Sequence, residues 1–188
     1  MKCEDLDNNG KIDNGDNTLS NPGDMRIIGN STPRYQFGIT AGFDWKGIDF
    51  EMFWQGVAKR DVFPGGSQFW GFTDEWQTPQ TTATDYWTKD NPNAYLPKLH
   101  HYGVGGANRT TSTRYLQNAA YMRLKNVTLG YTIPKSITEK WYISRLRLFV
   151  QAENMLTITK IKWSDPETLN NMTYPLNKKI SVGVNITL

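Results

Sequence analysis

The chain has 188 residues, 21 of them basic and 18 acidic, and the resulting net charge of +3 is too mild and too scattered for a nucleic-acid footprint. Its single cysteine, Cys3, cannot close an internal disulfide, and no run approaches the roughly 18 apolar residues of a transmembrane helix. Aromatic residues reach 13% in a chain of mean hydropathy −0.60. Transmembrane barrels show this combination because only alternate strand residues meet lipid, and glycan-binding sandwiches share it.

Residues 1–34 are rich in Asp, Asn and Gly and read as loop. Within them Asp5, Asp7, Asn9, Gly10, Lys11, Asp13 and Asp16 fall at places 1, 3, 5, 6, 7, 9 and 12 of an EF-hand-like calcium loop. Oxygens at alternate residues, a glycine for the sharp turn and a backbone carbonyl at the seventh place suit a hard cation. The spacing therefore assigns Ca2+ to Asp5, Asp7, Asn9, the Lys11 carbonyl and Asp16, a shorter acid than the usual Glu. A solvated Asx-rich turn is the competing account. A dockerin would need a helix directly afterwards and a second copy, but Pro22, Gly23, Gly29 and Pro33 break any helix and no second copy follows.

Residues 35–57 change register. Tyr35, Phe37, Ile39, Ala41, Phe43 and Trp45 alternate with Gln36, Gly38, Thr40, Gly42 and Asp44. Lys46-Gly47 supplies a tight turn, after which Ile48, Phe50, Met52 and Trp54 continue the alternation. Each arm of this hairpin has about the 9 to 11 residues that a tilted strand needs to cross a bilayer.

Residues 58–118 lose the alternation and form a connection too long for an ordinary loop. Its Trp70, Trp76, Tyr86, Trp87, Tyr95 and Tyr102 argue against disorder, which is poor in aromatics. The rings either build a small core of the loop or face outward, and Trp70, Trp76 and Trp87 are the candidates for stacking on sugar or packing against a partner.

Residues 119–188 read as three strands. Val127, Leu129 and Tyr131 oppose Asn126, Thr128 and Gly130, and Pro134 ends that strand. Lys135 to Tyr142 has room for one helical turn. Leu146, Leu148, Val150 and Ala152 then alternate with Arg145, Arg147, Phe149, Gln151 and Glu153, and after a loop with Trp163, Asp165, Pro166 and Pro175 comes Ile180 to Leu188. Arg123, Arg145, Arg147 and Glu153 are expected on a polar, lumen-facing side, with Trp45, Trp54, Tyr131 and Trp141 at the interfaces of a lipid wall. Five strands result, with long loops on one side and short turns on the other. No catalytic motif stands out: there is no Gly-x-Ser-x-Gly and no carboxylate pair of defined geometry, so no enzyme is expected.

Several segments resemble the C-terminal portion of the SusC/RagA family of TonB-dependent outer-membrane transporters of Bacteroidetes. They are Asp5 to Asp13, Ile28 to Tyr35, Trp45 to Phe50, Phe53 to Gly56, Leu146 to Val150 and Asn154 to Leu156. The most specific is Tyr121-Met-Arg-Leu-Lys-Asn-Val-Thr-Leu-Gly-Tyr-Thr-Ile-Pro134. The family usually ends on an aromatic residue, whereas this chain ends on Leu188.

The resemblance implies an all-β fold in which these are the C-terminal five antiparallel strands of a 22-stranded transmembrane β-barrel, with the loops extracellular and the C-terminus periplasmic. It further implies a SusD-like lipoprotein over the mouth, a TonB complex acting through an N-terminal plug that is missing here, outer-membrane lipid around the wall, and an oligosaccharide or peptide as substrate. Since signal, plug and TonB contact are absent from the sequence, a fragment of a longer importer is expected. The alternative is a secreted calcium-dependent carbohydrate-binding β-sandwich that buries its alternate apolar rows between two sheets. A glycoside hydrolase ranks below both.

Overall fold

The computed structural model describes residues 3–71, 73, 76, 81, 84–100, 106–161, 163–169, 174 and 176–188. They cluster into two units, one of Ser31–Asp61 with Asn118–Leu188 and one of Met1–Asn30 with Val62–Gln117. Tyr102 and Pro175, noted above, lie outside the described residues.

The strands are β1 (Arg34–Trp45), β2 (Ile48–Lys59), β3 (Asp61–Val62), β4 (Gln117–Asn118), β5 (Tyr121–Thr132), β6 (Arg145–Thr159) and β7 (Lys179–Thr187). The five long ones form a single antiparallel sheet in the order β1-β2-β5-β6-β7, while β3 and β4 form a two-stranded ladder. The β1–β2 turn is as tight as the sequence requires: Lys46 and Gly47 take φ of 47° and 88°, and Trp45 pairs directly with Ile48. Positive φ at both turn residues matches the strand twist, which is why a glycine belongs there. Between β5 and β6 the expected helical turn is present, α2 (Lys135–Thr138) running into a 3-10 turn over Glu139–Trp141.

Direct strand partners share a face, so the register carries the alternation of each strand across the whole sheet. Phe43 pairs with Phe50, Phe50 with Leu129, Leu129 with Val150 and Val150 with Val182. A parallel row runs through Trp45, Ile48, Tyr131, Leu148 and Val184. The opposite face carries Gly42, Glu51, Thr128, Gln151 and Ser181 in one row. The apolar rows are open: Phe43 is 56% exposed, Leu129 52%, Val150 44% and Val182 77%. A β-sandwich would bury them against a second sheet, and among the described residues none covers them.

The alternation of β6 is clear as far as Glu153 and breaks there, although the strand continues to Thr159. The cause is a pair of bulges. Between β2 and β5 the register shifts so that Lys125 is an extra residue, and between β5 and β6 it shifts again opposite Asn154 and Met155. Asn154 takes φ 54° there, and the apolar face resumes with Leu156 and Ile158 after the period has been reset.

The second unit has an aromatic centre. Trp70, at the end of α1 (Ser67–Trp70), meets Phe69 and Tyr115 edge-on at centroid distances of 4.8 Å each, and Tyr95 lies 5.5 Å from Tyr115. Tyr115 is only 2% exposed, and Ala94 and Leu96 of the same unit are also buried. The aromatic residues of the long connection thus include a small core, one of the two roles foreseen for them.

Gly56 sits where a side chain has no room, because a Cβ would overlap the Tyr121 backbone carbonyl and the Phe37 ring. Gly56→Ala is expected to weaken the β2–β5 pairing by about 1–3 kcal/mol, the usual range for overpacking. Gly65→Ala, with nothing within 4 Å of its Cβ, is expected to be neutral. Denaturant unfolding of the two variants checks this, and equal midpoints would contradict it.

Candidate functional site

The polar face of the sheet gathers the residues assigned to a lumen. Register places Arg145 opposite Thr187, Arg147 between Thr132 and Asn185, Glu153 between Asn126 and Lys179, and Arg123 between Gln55 and Thr157. All four lie on that face, but their surroundings differ.

Arg147 reaches across β5 to Asp49 on β2; its Nε donates to Asp49 Oδ1 at 2.8 Å, and its terminal nitrogen pairs with the other carboxylate oxygen. Gly130 makes this bridge possible, since a Cβ there would stand 2.5 Å from Asp49 Oδ1 and 2.6 Å from Arg147 Nε. The guanidinium also lies 5.0 Å from the centre of the Phe149 ring, and that ring in turn covers Gly183. At this end of the face a recess of about 720 Å³ is lined by Asp44, Asp49, Arg145, Arg147, Asn185 and Thr187 among others. Glu153 makes a longer, exposed pair with Lys179 at 3.8 Å.

Arg123 is different, being 3% exposed. Its three nitrogens are all engaged: Nε donates to Thr157 Oγ1 at 2.9 Å, one terminal nitrogen to Glu167 Oε2 at 2.9 Å and the other to Asp165 Oδ2 at 2.7 Å. Lys125 Nζ donates to Glu167 Oε1 at 2.7 Å. Sequence spacing does not reveal this cluster, because the acids stand some forty residues from the cations and are joined only by the β5–β6 register.

In the other unit, the acidic loop has the local hydrogen bonds of its motif. Asp5 accepts from the Asn9 and Gly10 N–H groups, Asp7 from Asn9 N–H, and Asn9 Oδ1 from Lys11 N–H at 2.8 Å, while Gly10 takes φ 79°. The acids brought together are Asp5, Asp7 and Asp24, with one oxygen of each within 4.8 Å of the others. Asp16 is held instead by Asn21, whose Nδ2 donates to it at 2.8 Å. Asp24 ties the loop shut, accepting Leu6 N–H at 2.6 Å and Asp13 N–H at 2.8 Å. Those two N–H groups, Leu6 first, hold its carboxyl below the usual carboxylate range against the opposing effect of desolvation. The sequence pattern could not find Asp24 because it lies outside the twelve-residue frame.

The three tryptophans proposed as contacts separate. Trp76 is 89% exposed and Trp87 39%. Trp70 is 6% exposed and donates its indole N–H to the Pro64 carbonyl at 2.8 Å, so it is a packing residue of the aromatic core and presents no contact face.

No family profile matches the chain. Among curated proteins it is similar to TonB-dependent receptor P3 of Formosa agariphila, 28% identical over 163 residues, which are 87% of this chain and 15% of that protein. It is also similar to TonB-dependent receptor P26 of the same organism, 24% identical with 93% and 19% covered. Among solved structures, the RagAB peptide transporter aligns with a TM-score of 0.67 and 27% identity over 86% of this chain and 18% of that one. The RagAB peptide importer in its open-open state aligns equally well, with 87% of this chain covered. The chain therefore spans less than a fifth of the length of the proteins it matches. In sequence and in fold it is similar to a small C-terminal part of SusC/RagA-type TonB-dependent transporters.

Proposed function

We propose that the chain forms the C-terminal part of the wall of a TonB-dependent outer-membrane importer, a non-enzymatic role. The observation that supports this most is the exposed apolar row from Phe43 through Phe50, Leu129 and Val150 to Val182, backed by a polar row on the other face. Such two-sidedness suits hydrocarbon on one side and an aqueous passage on the other. In this reading the sheet belongs to a 22-stranded barrel, the unit holding Trp76 and Trp87 is extracellular, and the Lys46-Gly47 turn and the C-terminus are periplasmic. A SusD-like surface lipoprotein covers the mouth and TonB drives uptake through a plug. The cargo is a large nutrient, an oligosaccharide or a peptide, the latter favoured by the similarity to a peptide transporter.

Charge placement tests the wall. In the complete protein folded into lipid vesicles, Val150→Arg puts a cation on the apolar face and is expected to cost about 2–4 kcal/mol, the range for arginine near a bilayer midplane. Gln151→Arg on the adjacent polar position should stay within about 0.5 kcal/mol of the parent. Denaturant titration measures both, and equal losses would remove the membrane assignment. Uptake assays with labelled peptides and oligosaccharides in competition decide the cargo.

We also propose that the Asp5–Asp7–Asp24 group takes calcium, with carboxylates as hard-cation ligands in place of the sequence-assigned Asp16. Asp24→Asn should abolish the rise in melting temperature that calcium gives over chelator, whereas Asp16→Asn should keep it. Without metal, acid is the second probe. The folded Asp24 carboxyl binds a proton less readily than the unfolded one, so its contribution is complete above the ordinary Asp range and is lost as pH falls through the depressed folded value. Stability measured by tryptophan fluorescence on unfolding should therefore fall below about pH 4, and Asp24→Asn should flatten that dependence.

A further inference from the structure

The sheet has one layer, yet Arg123 on its polar face is 3% exposed while strand β7 on the same sheet is open to solvent along nearly its whole length. Something outside the sheet must cover it, and the residues that touch it identify the cover as the connection between β6 and β7. Asp165 and Glu167 descend onto Arg123, and Glu167 also takes Lys125. Within the connection Asp165 holds its own turn: Oδ1 accepts Glu167 N–H at 2.9 Å and its carbonyl accepts Leu169 N–H at 2.9 Å. One side chain thus both shapes the segment and fastens it to the sheet.

The bulge completes the fastening. Lys125 is the extra residue of β5 relative to β2, and it adds a second cation two residues from Arg123. Two cations then meet two carboxylates, and every nitrogen of the guanidinium has an acceptor. A buried charge so completely paired is stable only while both sides are in place, because removal of either leaves an uncompensated ion. Residues 163–169 of the connection are therefore held against the sheet.

We infer that residues 163–169 are a strap fastened across the polar face by the Arg123–Lys125–Asp165–Glu167 cluster, and that this strap narrows the passage along which solutes move. The inference rests on the proposed reading of the polar face as a lumen. It adds to the wall a fixed constriction set by this chain's own residues.

The test uses the complete transporter in the outer membrane and the isosteric double variant Asp165→Asn with Glu167→Gln, in a cysteine-free background carrying Thr168→Cys, an exposed strap position. A spin label at residue 168 should be immobilised in the parent and several-fold more mobile in the variant. Cells with the variant should become several-fold more sensitive to a bulky glycopeptide antibiotic at equal transporter abundance. An equally immobile label in both proteins overturns the strap. A loosened label with unchanged antibiotic sensitivity overturns the constriction. Failure of the parent protein to appear in the outer membrane would instead count against the proposed function, so the two ideas fail separately.

Discussion

The structure depends on a period of two kept in register across five strands. Each strand alone alternates apolar and polar side chains, but pairing turns alternation into a surface only where partners are directly opposite. Were β5 to slip by one residue against β2, Phe50 would face Thr128 or Gly130 in place of Leu129, and every apolar row would break at that seam. The Lys46-Gly47 turn fixes the register at one end by leaving no freedom between Trp45 and Ile48. Toward the other end the bulges shift β5 and β6 in step, so the apolar face is recovered beyond them. A continuous oily face wide enough for five strands follows from that bookkeeping of register and from no single strong contact.

The polar face is built differently, by local closure of charge. Arg147 is committed to Asp49 and stacked on Phe149, and Arg123 with Lys125 is committed to Asp165 and Glu167. The cations expected on a polar, lumen-facing side are thus mostly paired with acids of the same chain. Glycines make the closure fit: Gly130 lies beneath the Asp49–Arg147 bridge and Gly183 beneath the Phe149 ring. Among the described residues, exposed charge on this face includes Arg145 at the recess and the Glu153–Lys179 pair, where solvent screens the field.

Much of the fold was legible because strand alternation is a local signal. The hairpin at Lys46-Gly47, the turn after Pro134 and all five long strands follow from residues close in sequence. The bulges were not legible, since an inserted residue reads as the end of a strand: Glu153 followed by Asn154 and Met155 breaks the pattern, and only pairing with β5 shows that the strand continues. Of the site, the faces of Arg145, Arg147 and Glu153 were foreseeable from parity, but their partners were not; Arg123 shares the odd numbering of Val127 and Leu129, and only the Lys125 bulge returns it to the polar face. Asp24 is similarly hidden from any fixed-length motif, as it reaches Asp5 and Asp7 by a return of the chain. Trp70 shows the converse limit, because composition marks a tryptophan as interesting without saying whether its ring points in or out.

The edges of the sheet carry the last step. β1 and β7 each have one neighbour, and the strand order does not join them to each other. In water such an edge is a hazard for aggregation; in hydrocarbon it is untenable, because each unpaired N–H or C=O there costs several kcal/mol. If the apolar rows face lipid, as proposed, further strands must pair with both edges. That requirement agrees with the chain spanning less than a fifth of the proteins it resembles. It also bears on the polar clusters: a strap tied across β5 and β6 lies inside a closed wall only when those neighbours are present, so its effect on passage belongs to the complete barrel even though every residue that fastens it is in this chain.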